Sequence, residues 1–471
     1  MSKSKSLILS LIFLVLSTSS FQVKALASLN FLVKPYLQLG NHPNILALES
    51  YDLIFVSDAI NPKLKIYLKQ ANLNWQEQKK ITVKQIGNFA KAEFYEYLCK
   101  LENVKPNLEF DYKIVENETV IFQAQAKSRS TGNTKFAVFG DLGYGSPGQK
   151  ELAYNLFKRN VDFVLMPGDI VYRRGLVHEY LEKFFPVYNC DNPSIFSGAP
   201  LLRSIMFFPA LGNHDMALTG ADYKTDLSIH KDALGYFYFF DEPLNGVSLK
   251  HNPWLSVACS NKMKKQILNS TFDRFPAMAN YSFDWGYAHI LVLDANPYQD
   301  WKDPVLRQFV ETDLLKAKAC KWKFVCYHQP AFSSDPFHHQ ENHMRSLSDI
   351  FQKYGVDLVF TGHAHCYQRS YPLNFNTNNV ENTNKQPSFI LDKIYDGKKQ
   401  TKPKGVIYLV TGSGGAPLYN PKVFKDNQEE FTNIYLGNDY SFTLVEETAN
   451  SLKIKQVTAS DQIIDEFIIS K

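Results

Sequence analysis

The 471-residue chain has no long run of lysine or arginine, and its formal net charge is only +4. A dedicated nucleic-acid binder concentrates positive charge on one element or face, so that class is excluded. The six cysteines (99, 190, 259, 320, 326 and 366) are scattered, with no CxxC pair. That spacing excludes a cysteine metal clip and a small disulfide scaffold. Cys320 and Cys326 are near enough to pair, or to stand as two buried thiols. No internal repeat is present, and no apolar run reaches the roughly 18–20 residues needed to span a bilayer.

What remains is an ordinary globular composition, 45% hydrophobic and 21% charged. The length exceeds one typical domain and implies two, or one large domain with an annex. At the N-terminus Lys3 and Lys5 precede the apolar run Leu7–Leu16, followed by polar residues and the small-x-small stretch Ala25-Leu26-Ala27. This is the layout of a secretory signal peptide over 1–27, cleaved after Ala27. It implies a secreted or periplasmic protein with no stable membrane anchor once the leader is gone. The other reading, a retained anchor, is disfavoured by the shortness of the run.

Residues 28–128 have a period of two. Leu64, Ile66 and Leu68 alternate with Lys63, Lys65 and Lys69, while Phe110, Tyr112 and Ile114 alternate with Asp111 and Lys113. Short half-buried strands at this spacing predict an antiparallel β-sandwich. The pattern changes after "SRSTGNTK" (128–135), read as a polar linker, and 134–471 forms the second domain. There "FAVFGD" (136–141) and "VDFVLMPGD" (161–169) flank a helix opened by Ser146-Pro147-Gly148-Gln149, with an N-cap serine and proline at the first position. This is a β-α-β unit. Further strands are expected in "MFFPALGNHD", "HILVLDAN", "KFVCYHQP", "VDLVFTGHAH" and "GVIYLVTGSGG", and a surface loop over 374–387.

Asp141, Asp169, Asn213, His214, His328, His363 and His365 all follow apolar strands. In open α/β sheets the carboxyl ends of strands form the ligand crevice, so these residues would converge there. Each piece alone has an ordinary alternative. An aspartate after a strand is commonly a turn residue, "GNHD" reads as a turn, and His328 before Gln329-Pro330 reads as a satisfied polar residue. Two imidazoles two residues apart, His363 and His365, point more directly to a metal.

In order the pieces are Asp-x-Gly, Gly-Asp-x-x-Tyr, Gly-Asn-His-Asp, His-x-Pro and Gly-His-x-His. Together they resemble the calcineurin-like metallophosphoesterase superfamily and, within it, the purple acid phosphatases. "KPYLQLG" and "LENVKPNLEFDYKI" are similar to the fibronectin-like domain of the longer members. The resemblance implies an α/β metallophosphoesterase fold, a central β-sandwich flanked by helices, preceded by an all-β fibronectin-like domain. It implies a first metal held by Asp141, Asp169, Tyr172 and His365, and a second by Asp169, Asn213, His328 and His363, with Asp169 bridging.

Tyr172 separates this pattern from ordinary divalent metallophosphoesterases. A phenol with a pKa near 10 is a poor ligand for a divalent ion at neutral pH. A trivalent ion displaces its proton, so the resemblance implies Fe(III) in the first site and a divalent ion (Fe, Zn or Mn) in the second. His214 resembles the family's phosphate-contacting histidine, able to protonate a leaving group. His338 and His339 stand near the family's further histidines, one residue displaced, and read equally as solvated loop residues. "GHAHCYQRSYP" keeps Tyr367 and Arg369 of the extended pattern and departs at Cys366 and Gln368.

The implied activity is an exported acid phosphatase hydrolysing small phosphate monoesters by attack of metal-bound hydroxide. The alternatives are a phosphodiesterase or nucleotide hydrolase with the same cage, and a surface binding protein whose metal site is structural.

Overall fold

The computed structural model describes residues 29–61, 63–89, 92–216, 226–230, 232–248, 261–376, 389–419 and 428–471. The leader expected at 1–27 lies outside them. From Phe31 to Lys127 the chain is all β. One antiparallel sheet runs in the order Phe31–Gln38, Glu49–Ser57, Ala92–Val104, Ile81–Phe89, and a second in the order Gln76–Gln78, Leu64–Gln70, Glu109–Glu116, Thr119–Lys127. The period-two residues Leu64, Ile66, Leu68, Phe110, Tyr112 and Ile114 are all buried, and they share one core with Tyr51, Leu53, Phe55 and Tyr97 of the first sheet. This is a β-sandwich of the form expected for a fibronectin-like domain.

The stretch read as a polar linker is not a solvated tether. Arg129 is 0% exposed, and its guanidinium meets both oxygens of buried Glu49, at 3.1 and 2.6 Å. Its remaining donors reach the carbonyl oxygens of Pro43, Asn44 and Asp284. A buried ion pair with every donor satisfied fixes the chain where it passes from one core to the next.

Beyond it two sheets pack face to face. One has the order Met206–Pro209, Phe163–Met166, Thr134–Val138, Ser441–Glu447, Ser451–Thr458, Ile463–Ser470. Its first three strands are parallel. The other has the order Tyr281–Trp285, Ala288–Val292, Trp322–Cys326, Leu358–Thr361, Ile407–Thr411, Tyr367–Ser370, Thr432–Leu436. Its strands from Ala288–Val292 to Ile407–Thr411 are parallel. Aromatic rings fill the interior, with Phe208 stacked on Phe283 at 4.0 Å and Phe136 against Phe324 at 5.6 Å.

Helices cover the outer faces. Leu152, Ala153 and Leu156 of the helix Pro147–Lys158 pack on Ala137, Val164 and Phe207. Leu306, Val310 and Leu314 of the helix Pro304–Lys316 pack on Leu291, Val325 and Val359. The first of these helices starts as expected, with Ser146 Oγ accepting the Gln149 N–H at 3.2 Å. Asn374 and Phe375, placed in a loop by sequence, belong instead to the strand Leu373–Phe375, paired with Phe389–Leu391; residues 377–388 lie outside the described residues. Among the described residues no helix is long and apolar enough to cross a membrane.

Candidate metal centre

Among the described residues, five of the seven parallel strands lead to a residue singled out above. Thr134–Val138 leads to Asp141, Phe163–Met166 to Asp169, Met206–Pro209 to Asn213, Trp322–Cys326 to His328 and Leu358–Thr361 to His363. The turns at these ends are tight. Asp141, Asp169 and His363 have φ of 57°, 49° and 69°, a conformation that costs of order 1–3 kcal/mol and clusters at functional sites. Gly168, at φ 86°, lies so close to His328 that a Cβ would stand 2.6 Å from Nδ1. Only glycine lets the Asp169 loop approach that imidazole.

The donor atoms fall into two groups. In the first, the Tyr172 hydroxyl lies 3.0 Å from Asp141 Oδ1 and 3.2 Å from His365 Nε2, and those two atoms are 3.4 Å apart. In the second, His328 Nε2 lies 3.0 Å from Asn213 Oδ1, 3.2 Å from His363 Nδ1 and 3.3 Å from Asp169 Oδ1. Adjacent donors around an ion at about 2.1 Å are separated by about 3 Å, so both sets have the spacing of a coordination sphere. Carboxylate oxygens of Asp141 and Asp169 and a nitrogen of His328 lie within 4.8 Å of one another, which joins the two groups.

The ring nitrogens that face away are anchored. His328 Nδ1 donates to the Pro167 carbonyl oxygen at 2.8 Å and His365 Nδ1 to that of Pro417 at 2.7 Å. His363 Nε2 faces Glu341 Oε2 at 3.1 Å. Such anchoring fixes each tautomer and turns the other nitrogen's lone pair inward, the usual support of a metal-binding histidine.

The electrostatics fit cations. Asp141 and Asp169 are buried side by side. Burial alone would raise the Asp169 pKa, but His328 and His214 outweigh it and hold the carboxylate well below its usual range. Burial alone would lower the His328 pKa, but Asp169 raises it to about 10. Burial pushes Tyr172 far above an ordinary phenol, and the charges of Asp141 and Asp169 push it further. Two buried carboxylates and a buried phenol oxygen among imidazoles form a hard donor set in which cations would offset the buried negative charge.

Residues 134–367 match the calcineurin-like phosphoesterase family model. The chain belongs to that superfamily and, within it, to the purple acid phosphatase family. It is 24% identical over 363 residues to phosphoenolpyruvate phosphatase of Allium cepa, covering 74% of this chain and 64% of that one. It is 23% identical over 358 residues to acid phosphatase type 7 of Homo sapiens, covering 70% and 66%. It is 23% identical over 385 residues to probable inactive purple acid phosphatase 27 of Arabidopsis thaliana, covering 75% and 53%. The chain thus spans between about half and two thirds of these relatives' lengths. Its fold is shared with purple acid phosphatase PPD1 of yellow lupin, at a TM-score of 0.65 and 19% identity, covering 93% of this chain and 74% of that one.

Around this donor set the remaining residues take distinct places. His214 stands outside both groups. Its Nδ1 donates to the Arg173 carbonyl oxygen at 2.8 Å, its backbone N–H to Asp169 Oδ1 at 2.9 Å, and its Nε2 lies 3.9 Å from Asp169 Oδ2. His338 lies against the site, its ring 3.9 Å from that of His363 and its Nδ1 2.7 Å from Glu341 Oε1. His339 is exposed, with Nδ1 3.1 Å from the Asp335 carbonyl oxygen. The adjacent histidines therefore occupy different environments.

Sequence reasoning missed Glu341, which faces both His338 and His363, and Asp215, which accepts the N–H groups of Gly212 at 2.9 Å and Ile170 at 3.0 Å. Asp215 thereby ties the loop of Asn213 to that of Asp169. The fourth residue of Gly-Asn-His-Asp was the available signal for it; Glu341 had none beyond its proximity to His338. Cys366 is buried, and burial pushes its thiol up to about 12, which leaves it unreactive. The other described cysteines, 99, 190, 320 and 326, are free thiols too. Tyr367 and Arg369 both bind Asp465, linking the strand after the His-x-His turn to the C-terminal strand.

Proposed function

We propose that the protein is an exported acid phosphatase hydrolysing small phosphate monoesters at a binuclear metal centre. The observation that carries this reading is the Tyr172 hydroxyl, set between Asp141 and His365. A phenol so far from ionising yields its proton only to a strongly charged ion. The fit is therefore to Fe(III) in the group of Asp141, Asp169, Tyr172 and His365, and to a divalent Fe, Zn or Mn in the group of Asp169, Asn213, His328 and His363. When bound, the pair supplies Lewis-acid neutralisation of phosphoryl charge and lowers the pKa of water.

The chain's own residues do the rest. Asp169, between the two groups, offers one carboxylate to both. The carbonyls of Pro167 and Pro417 and the carboxylate of Glu341 hold the three imidazoles in place. His214, steered by Arg173, turns Nε2 toward the site and delivers the proton the departing alkoxide needs. Two relatives carry phosphatase names, which supports hydrolysis of a monoester. A second reading, a protein that keeps the centre without turnover, is favoured by the likeness to a relative named probable inactive.

Turnover of p-nitrophenyl phosphate by the purified, metal-loaded protein separates the two readings, and its ratio to bis(p-nitrophenyl) phosphate separates monoesterase from diesterase. Turnover of neither ester would sink the proposal.

A further inference from the structure

Outside the donor set the site has an aromatic rim. Phe337 is 67% exposed, and its ring lies 4.9 Å from that of Tyr419. Tyr419 stacks on His365 at 4.7 Å and 22°, and its hydroxyl is 3.1 Å from His338 Nε2. The shelf therefore starts at the imidazoles of the His-x-His turn and runs outward to a ring open to solvent.

The outer ring is held in place. The N–H groups of Phe337 and His338 both donate to Asp335 Oδ1, at 2.9 and 2.8 Å, from a carboxylate only 1% exposed. Asp335 Oδ2 accepts the Ser333 hydroxyl at 2.9 Å. Gln368, the departure noted in "GHAHCYQR", donates to Ser333 Oγ and accepts the Ser334 N–H, both at 2.8 Å. A lone exposed phenylalanine is unremarkable in itself. Here a buried carboxylate and a strand residue fix the turn that projects it beside Tyr419, the ring stacked on His365.

We infer that Phe337 and Tyr419 form a stacking platform for the leaving group, so that among phosphate monoesters the site favours esters of flat aromatic alcohols. This rests on the phosphatase reading above. Water forms the new bond to phosphorus, the bond to the aryl oxygen breaks with its electron pair on that oxygen, and one proton ends on the departing phenol. The departing ring packs edge or offset against Phe337, as aromatic pairs prefer; a polyol leaving group has no face to offer.

The test measures kcat/KM for phenyl phosphate and for glycerol 1-phosphate in wild type, Phe337→Ala and Phe337→Leu, with Phe196→Ala (80% exposed, on the Asn189–Ser194/Gly198–Pro200 hairpin) as the control. Intrinsic reactivity cancels when the aryl-to-glycerol ratio is compared between variants. The ratio is expected to fall roughly 3- to 10-fold in Phe337→Ala, less in Phe337→Leu, and to stay put in the control. Phenylphosphonate, which is not hydrolysed, is expected to lose binding relative to methylphosphonate by a similar factor. A ratio changed by less than about twofold in both Phe337 variants would overturn the platform. If wild type hydrolyses neither ester the phosphatase reading fails, while the phosphonate pair still decides whether the shelf binds rings.

Discussion

Replacing His214 with alanine removes one imidazole and little else. The backbone N–H that donates to Asp169 Oδ1 at 2.9 Å survives, and so does every atom of the two donor groups. The metal content should therefore be retained. What is lost is Nε2, the ring nitrogen left facing the site once Nδ1 is committed to the Arg173 carbonyl oxygen. If that nitrogen protonates the leaving oxygen, kcat should drop by roughly 10²–10⁴-fold, about 3–5 kcal/mol of transition-state stabilisation. The loss should depend on the alcohol. Glycerol 1-phosphate, whose alkoxide must be protonated, should show the full effect. p-Nitrophenyl phosphate, whose phenolate departs without help, should lose no more than about 10-fold. The assay is kcat on both esters, with metal per chain measured on the same preparations. Equal losses on both esters would refute the general-acid role, and loss of metal would make His214 a ligand instead.

Asn213→Ala should lower occupancy of the second site and collapse kcat, because that group has only neutral side chains beside Asp169; full activity with one metal per chain would defeat the two-metal reading. His289 lies between Asp284 and Asp313, at 2.8 Å from each, and although burial alone would lower its pKa, the two carboxylates raise it to about 9. A folded-state pKa above the unfolded value of about 6.5 contributes about 3 kcal/mol that is complete below pH 6.5 and lost as pH rises through about 9. His289→Asn should be less stable than wild type at pH 6 and converge on it by about pH 10 in thermal melts; a gap that persists at high pH would refute the assignment. Finally, mass spectrometry of exported protein should find an N-terminus near Ser28, and an intact, membrane-retained leader would contradict the expectation of cleavage.

The donor residues were legible in the sequence because each follows a short apolar run, and a parallel strand buried on both faces can be little else. Tyr172 stood out in the sequence, since a phenol six residues past the end of the strand Phe163–Met166 is not needed for a turn. The two β-layers of the N-terminal region were legible because their alternation has a period of two. Other features depend on contacts that no local pattern encodes. The strand Ser441–Glu447 pairs with Thr134–Val138 across some three hundred residues of chain, and nothing near either segment announces it. Pro167 and Pro417 act through carbonyl oxygens, which every residue has. His338 and His339 look interchangeable in sequence; the turn built on Asp335 sends one to the site and the other to solvent. Arg129, read as part of a polar linker, became buried because Glu49 and three carbonyl oxygens from both domains converge on it.

The account turns on Tyr172 as a ligand for a trivalent ion, and the visible spectrum with iron analysis of wild type and Tyr172→Phe tests it most directly. Phenylalanine keeps the ring that packs against His214 at 4.6 Å and Tyr144 at 5.7 Å, so the fold should survive. Wild type should be coloured by phenolate-to-iron charge transfer and carry iron in the first site. The variant should lose the visible band, hold iron less tightly and shift its pH optimum toward neutrality. A variant with unchanged colour, metal content and pH profile would contradict the account and leave Tyr172 as packing alone.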